Sequence, residues 1–131
     1  MTQPLNLVRR DMIHWLQKVD RKGWVANHDG NLSARIQPRR IVLTPTAFGK
    51  RDVTLDDLVV VDDHGKKVAG PHRPFSEMVL HLAVYDVRPE VNAVVHAHPP
   101  FASAFGVTAA STGSARGVMK ENSIRSAAGA G

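Results

Sequence analysis

The sequence predicts an α/β domain in which helices flank a central, largely antiparallel sheet. Residues 5–22 repeat apolar side chains at helical spacing, which predicts an amphipathic helix. Residues 32–36 alternate Leu, Ala and Ile with polar residues, as a half-buried strand does. A short turn at 38–40 leads to a second strand at 41–44, so we expect these two strands to form an antiparallel hairpin.

The remaining elements are predicted from turn and capping residues. Gly23 is a suitable end for the first helix, and Thr54 with Asp57 has the spacing of a capping box. Ser76 is the predicted N-cap of a second helix, which Pro89 ends. Further strands are expected at 58–61, 67–69 and 91–98.

A single domain is expected to contain most of the chain. The 131 residues are 43% hydrophobic and 22% charged, which is ordinary for a globular protein with a buried core. From residue 111 onward the chain is rich in Ser, Gly and Ala and has no persistent periodicity. We therefore expect a domain at residues 1–110 and a low-complexity, poorly ordered tail at 111–131.

The composition excludes several classes of protein. Without cysteine the chain forms neither disulfides nor thiolate metal sites, so any metal must be held by His, Asp or Glu. No apolar run has the length of a membrane span, and the first residues lack the apolar centre of a secretory signal, so we expect a cytoplasmic protein. The net charge is +5, but the basic residues are scattered without interleaved aromatics, so nucleic acid is not an expected partner.

The segment most suggestive of chemistry is an apolar run that ends in two histidines, His96 and His98. Residues i and i+2 of a strand point to the same face, so both imidazoles can be aimed at one divalent ion. The two prolines that follow cannot continue a central strand, which places the histidines at a strand end. By itself, a His-x-His pair is more often a pair of ordinary surface or core histidines.

Two other segments could bind an anion. Gly30 lets backbone amides approach an anion closely, and Asn31 adds a neutral side-chain donor. The start of the second helix, at Ser76 and Glu77, presents free N–H groups and the positive end of the helix dipole. In isolation, Glu77 is more simply explained as a residue that complements this dipole or caps the helix.

In their order along the chain, these segments resemble the class II aldolase family, the zinc enzymes that include L-fuculose-phosphate aldolase and L-ribulose-5-phosphate 4-epimerase. The resemblance covers roughly residues 5–108 and implies the family's α/β/α architecture. Each motif is modest, but four in the same order make a specific match. The matching pieces are Gly30-Asn31-Leu32-Ser33-Ala34-Arg35, Leu43-Thr44-Pro45-Thr46, Ser76-Glu77 with His81, and Arg88-Pro89 leading to Ala93-Val94-Val95-His96-Ala97-His98.

The resemblance implies a role for each matched residue. His96 and His98 match two zinc ligands on one strand. Glu77 matches the acidic residue that touches the metal and serves as the acid/base. Positions that hold the substrate phosphate are matched by Gly30, Asn31, Thr46 and Ser76.

The implied activity is that of a zinc-dependent aldehyde-lyase, an aldolase acting on a small sugar phosphate or a related hydroxy-carbonyl compound. Zinc, or another divalent metal, acts in such a site as a Lewis acid, and a carboxylate shuttles protons as an enediolate forms. Members of the family assemble as tetramers with sites between subunits, so the resemblance also implies a homo-oligomer.

The chain departs from the family's pattern at three places. Phe75 stands where a small hydroxyl residue precedes the serine, and Ala47 stands where a glycine follows the Thr-Pro-Thr loop. The family also supplies a third zinc histidine downstream, whereas no histidine follows His98. We therefore expect a C-terminally truncated chain with an incomplete metal site, in which catalysis is reduced or lost.

Several alternatives stay open. The chain could be an epimerase or dehydratase of the same family, a non-catalytic adducin-like interaction domain, or a small basic binding module. His81, four residues after Glu77, could add a metal ligand, although a hydrogen-bonded helix histidine is the simpler interpretation. Three aromatic residues are expected in the core rather than stacked on a substrate: Tyr85, Phe101 and Phe105.

Overall fold

The chain folds around a five-stranded antiparallel sheet in a computed structural model that describes residues 4–25 and 29–111. The strand order is β4-β3-β2-β1-β5, and every neighbouring pair is antiparallel. This confirms the predicted fold class. The strands are β1 (Asn31–Gln37), β2 (Arg40–Leu43), β3 (Val59–Val61), β4 (Lys67–Ala69) and β5 (Ala93–His96).

Three helices accompany the sheet within the described residues. They are α1 (Leu5–Arg21), α2 (Met78–Val87) and α3 (Pro100–Ser111), and a single 3₁₀ turn spans Leu55–Asp57. The capping box predicted before this turn is present, because Asp57 Oδ2 accepts the Thr54 N–H at 2.8 Å and the Thr54 hydroxyl at 2.7 Å. No helix in the described ranges is both long and apolar enough to cross a bilayer.

Strand alternation divides the buried side chains between the two faces of the sheet. On one face α1 packs Met12, Leu16 and Val19 against alternate residues of β1, which are Leu32, Ala34 and Ile36. On the other face lies a second cluster, formed by residues of β2, β3 and β5 together with Phe75 and Tyr85 from before and within α2: Ile41, Leu43, Val59, Val61, Phe75, Tyr85 and Val94. Helix α1 therefore buries its apolar face against the sheet, as the sequence periodicity predicts, whereas α2 also leaves apolar side chains exposed.

Two predictions about helices need correction. Ser76 is not the N-cap of α2: the helix begins one residue later than this prediction requires, with Glu77 at the cap and no side-chain capping hydrogen bond. Phe101 and Phe105 are not core residues, since they are 92% and 61% exposed on α3. Among the described residues no core cluster includes a side chain of α3, so nothing buries these rings.

Part of the sequence prediction lies outside the described residues. Apart from Ser111 at the end of α3, the tail expected at 111–131 is not among them.

Candidate active site

A polar face of β1 lies against α2 at the centre of the candidate site. Because alternate strand residues share a face, the polar positions of β1 point together toward the side of the sheet that α2 covers. The residues that bond with them lie in α2 and directly before it, and they are spaced four positions apart, about one helical turn. The contacts join Asn31 to Glu77, both Asn31 and Ser33 to His81, and both Ser33 and Arg35 to Tyr85.

The polar residues of β1 stay in register with those of α2, because the distance between alternate strand residues is close to the distance between every fourth helix residue. Two residues of a strand advance about 6.6 Å, and four residues of a helix advance about 6 Å. An Asn-x-Ser-x-Arg strand can therefore stay in register with Glu, His and Tyr spaced four apart over two turns. Polar side chains at these positions replace the apolar contacts that the rest of α2 makes with the sheet.

Four short hydrogen bonds run through this interface. Tyr85 OH lies 2.8 Å from Ser33 Oγ, and Ser33 Oγ lies 2.7 Å from His81 Nδ1. His81 Nε2 lies 2.6 Å from Asn31 Oδ1, and Asn31 Nδ2 lies 2.7 Å from Glu77 Oε2. Asn31, Ser33 and His81 are at most 4% exposed, so water does not compete for these bonds.

Burial keeps His81 neutral near pH 7. Loss of hydration, with a smaller contribution from nearby His96, lowers the pKa of His81 to about 4. Burial also raises the pKa of Tyr85 above its ordinary value, against the opposing effect of its hydrogen bond with Ser33. His81 is thus a hydrogen-bonded helix histidine with both ring nitrogens occupied, the simpler of the two roles expected for it.

Glu77 and His96 meet at the open end of this polar interface. Asn31 and His96 are direct partners in the β1–β5 pairing, so the end of β5 lies beside Asn31. His96 Nδ1 is 3.3 Å from Glu77 Oε2, and the two side chains are 28% and 45% exposed. The His96 Nδ1 atom is buried and makes no hydrogen bond. The His96 ring and the Glu77 carboxylate are therefore neighbours, but His96 Nδ1 is not oriented to form a hydrogen bond with the carboxylate.

His98 extends the histidine pair beyond the end of β5. Its ring centroid lies 4.8 Å from that of His96, with the ring planes at 46°. Its backbone N–H donates to the Trp24 carbonyl at 2.7 Å, which fixes the chain after the strand. Within residues 4–25 and 29–111, however, no group of three or more His, Asp or Glu side chains is arranged to hold a metal ion.

Gly30 allows the strand to enter the site. Its φ is +79°, and a Cβ there would lie 2.3 Å from Val25 Cγ1 and 2.9 Å from the His96 carbonyl oxygen. Only glycine accommodates this backbone conformation and this close approach.

The other predicted phosphate ligands lie on neighbouring loops. Pro45 and Pro74 form an isolated antiparallel bridge, and the Thr46 N–H donates to the Arg73 carbonyl at 3.3 Å. The loop of Thr46 thus runs beside the segment that leads to Ser76, which is exposed in the turn before α2.

Phe75, which replaces a small hydroxyl residue in the family's pattern, is part of the core. It is 5% exposed, and its ring meets the His81 ring edge-on at 5.0 Å between centroids. The ring therefore packs behind the polar interface instead of facing solvent.

Lys50 is a candidate site residue that no sequence motif indicates. Lys50 is only 4% exposed. Burial lowers the pKa of its amine, while the carboxylates of Asp29 and Glu77 oppose this effect. Lysine is rarely buried, and no periodicity marks this one in a loop, so the sequence carried no signal for it.

The chain is similar in sequence to curated enzymes whose names specify sugar phosphates. It is 36% identical over 97 residues to a methylthioribulose-1-phosphate dehydratase of Gluconacetobacter diazotrophicus, covering 74% of this chain and 47% of the relative. It is 39% identical over 87 residues to a 5-methylthioribulose-1-phosphate/5-deoxyribulose-1-phosphate aldolase of Escherichia coli O45:K1, covering 66% and 40% of the two chains. The chain thus spans less than half the length of these relatives.

The fold agrees with that of a solved relative. An L-fuculose 1-phosphate aldolase superposes with a TM-score of 0.72 and 26% identity, over 80% of this chain and 50% of that one. The family described as Class II Aldolase and Adducin N-terminal domain matches residues 10–127, most of the sequence. This chain therefore belongs to the class II aldolase and adducin N-terminal domain family.

Proposed function

We propose that this chain carries the catalytic carboxylate and part of the metal site of a divalent-metal-dependent lyase. Its substrate is a small sugar phosphate or a related hydroxy-carbonyl compound. The dehydratase and the aldolases that it resembles support this class of substrate and a lyase-type reaction. Aldol cleavage is our first choice of reaction, and dehydration or epimerisation by the same site is the alternative.

The contact between Glu77 and His96 carries the proposal. A carboxylate and an imidazole are 3.3 Å apart at the end of a strand, beside a buried amide that donates to the carboxylate at 2.7 Å. A purely structural pair would be expected to form a hydrogen bond, because an unpaired buried nitrogen is costly. The His96 Nδ1 atom instead has no hydrogen-bond partner.

The donor set fits a divalent metal. A buried imidazole nitrogen without a hydrogen bond, a second imidazole nearby and a carboxylate are the N and O ligands that Zn²⁺ prefers. We propose His96, His98 and Glu77 as its ligands; since no three-ligand group is arranged among the described residues, these side chains would have to reorient to bind the ion together. When bound, it would supply Lewis-acid polarisation of the substrate carbonyl.

Glu77 is the proposed acid/base. Its Oε2 accepts from Asn31, and its side chain is 45% exposed, so the carboxylate is oriented and still accessible to a substrate. In aldol cleavage it would take the proton of the substrate hydroxyl that becomes the aldehyde, as the carbon–carbon bond breaks to give the enediolate, and would then deliver the proton to the enediolate carbon.

The substrate anion is assigned to the surrounding loops. Gly30, Asn31, Thr46 and Ser76 are the proposed phosphate ligands. The buried Lys50 amine lies in the field of Glu77 and adds positive charge to this region. A cation in a poorly hydrated site attracts an anionic substrate more strongly than an exposed cation does.

Metal titration tests the proposed site directly. We expect the chain to bind Zn²⁺ in calorimetric titration, and His96→Ala and Glu77→Ala to weaken binding at least about tenfold, since each removes a proposed ligand. His64→Ala is the matched control, because the His64 side chain is 77% exposed and its charged neighbour is Asp63, which is not a proposed ligand. Equal binding by His96→Ala and His64→Ala would refute the assignment.

Substrate assays then separate the reactions. L-fuculose 1-phosphate, 5-deoxyribulose 1-phosphate and methylthioribulose 1-phosphate are incubated with the zinc-loaded chain, and aldehyde release or dehydration is followed. Turnover that Glu77→Gln abolishes supports the lyase. Zinc binding without turnover of any of the three would overturn the catalytic proposal for this chain and favour the adducin-like alternative.

Assembly into a homo-oligomer is a further part of the proposal. Phe101, Phe105 and Val107 of α3 are 92%, 61% and 72% exposed, and a second copy would bury such side chains. Sedimentation analysis of the chain should show association that Phe101→Ser weakens. A monomer at all concentrations would contradict it.

A further inference from the structure

We infer that His81 is a positioning residue for Glu77, acting through Asn31, and that the hydrogen-bond chain between Tyr85 and Glu77 runs in one direction only. This inference rests on the proposed function, because it gives Glu77 the role of the acid/base.

The direction follows from the chemistry of the two ends. An ionised carboxylate only accepts hydrogen bonds, so the group of Asn31 that faces Glu77 must be the amide nitrogen. The amide oxygen of Asn31 then faces His81 and must accept, which requires a proton on His81 Nε2.

The tautomer of His81 fixes the rest of the chain. A neutral imidazole that carries its proton on Nε2 accepts at Nδ1, so Ser33 donates its hydroxyl proton to His81. Ser33 Oγ can then accept from Tyr85, whose hydroxyl is 2.8 Å away. Every donor in this series has one acceptor, and no step requires a charged residue in the core.

Because the hydrogen-bond chain is buried, water cannot replace its hydrogen bonds. His81 is 1% exposed, Ser33 is 1% exposed and Asn31 is 4% exposed, so the three side chains have no water as an alternative partner. Rotating the Asn31 amide by 180° would place its oxygen against the Glu77 carboxylate and its NH₂ against a ring N–H. Even if the ring proton moved to Nδ1, so that Nε2 accepted from the rotated amide, the amide oxygen would still face the carboxylate and the hydrogen bond to Glu77 would be lost, so this arrangement is disfavoured.

Two substitutions of His81 distinguish positioning from packing. In His81→Gln the amide nitrogen can stand where Nε2 stands and donate to Asn31. In His81→Asn the shorter side chain reaches only the position of Nδ1, so it can bond with Ser33 but not with Asn31. Both variants lose the ring and its edge contact with Phe75, so a purely structural role predicts the same outcome for both.

The test reads the Asn31 side-chain amide by ¹⁵N-resolved NMR in the metal-free chain at neutral pH. We expect a downfield, slowly exchanging Nδ2 proton in the wild type and in His81→Gln, and its loss in His81→Asn. Identical amide signals in both variants would overturn the inference. Should a variant not fold, the His81 ring nitrogens of the wild type decide: a proton on Nδ1, or on both nitrogens, overturns it.

A second measurement separates this inference from the proposed function. Zn²⁺ affinity should fall about tenfold in His81→Asn and stay within about threefold in His81→Gln, in the range found when residues behind a metal ligand are changed. Equal losses in the two variants would overturn the inference. If the wild type binds no Zn²⁺, the proposed function fails, and the amide signals still decide the role of His81.

Discussion

At the scale of single residues, Ala47 bears the most visible backbone strain. It is the one non-glycine residue in the described ranges with positive φ, at 59°. It also stands where the class II aldolase pattern has glycine. A Cβ in the left-handed region costs roughly 1–2 kcal/mol, which the loop must offset through its other contacts.

Ala47→Gly should stabilise the protein. We expect a gain of about 0.5–1 kcal/mol, because relief of the strain exceeds the extra entropy that glycine loses on folding. Urea unfolding followed by circular dichroism measures the change. Ala69→Gly, in the exposed edge strand β4, is the control and should lose a similar amount. A loss of stability in both variants would contradict the strain at Ala47.

His81 also makes stability depend on pH. Its pKa is lowered to about 4 in the folded chain from an ordinary value of 6.5, so the unfolded chain binds a proton that the folded chain does not. Stability should therefore be fully present above pH 6.5 and fall as the pH drops from 6.5 to 4, by roughly 3 kcal/mol in total.

Urea unfolding at pH 7.5, 6, 5 and 4.5 measures this effect. We expect His81→Gln to flatten the decline over this window, while His64→Gln, at an exposed histidine, leaves it unchanged. The same slope in wild type and His81→Gln would show that another group causes the decline.

At the scale of elements, local patterns predicted all five strands and the first two helices to within a few residues. Alternation sufficed for the four strands that have residues in a core cluster, and turn residues marked the exposed edge strand β4. Helix α3 was missed, because Pro99-Pro100 indicated only the end of a strand. Pro100 is the first residue of α3, a position where a missing N–H costs nothing.

The junction between the Gly30 loop and β5 is the element-level contact that most affects the candidate site. Gly30→Ala should destabilise the chain by about 2–4 kcal/mol, since it adds a steric overlap with Val25 and the His96 carbonyl to the cost of a positive φ. It should also shift the NMR signals of the His96 ring.

Gly23→Ala provides the matched control. Gly23 has a similar φ of +69°, but a Cβ there would meet no atom of the described residues within 4 Å, so this variant reports the backbone cost alone, about 1 kcal/mol. Chemical denaturation of both variants gives the difference. Equal losses, with an unchanged His96 ring signal, would contradict the steric role of Gly30.

At the scale of the whole molecule, the site is built from long-range contacts. The residues that meet in the polar interface are 46 to 52 positions apart in sequence. The histidine pair and Glu77 could be proposed from short motifs and the family resemblance. The register of β1 against α2 could not be predicted, because the periodicity of apolar residues does not show which strand a helix will cover. The burial of Lys50 escaped prediction for the same reason.

Metal binding should therefore be linked to the stability of the entire fold. The proposed ligands come from the end of β5, from the segment between β5 and α3, and from the residue before α2, so a bound ion would connect elements that separate on unfolding. An ion that binds only the folded state stabilises it by about 2.7 kcal/mol at a hundredfold excess over its dissociation constant.

We expect Zn²⁺ to raise the midpoint of thermal unfolding of metal-free chain, and EDTA to reverse the increase. His96→Ala should remove most of this response, whereas His64→Ala should keep it, because His64 lies on the turn between β3 and β4. Binding of zinc to histidines in the unfolded chain would reduce the shift in both variants equally. A difference between them therefore measures the folded site, and its absence would remove His96 from the set of metal ligands.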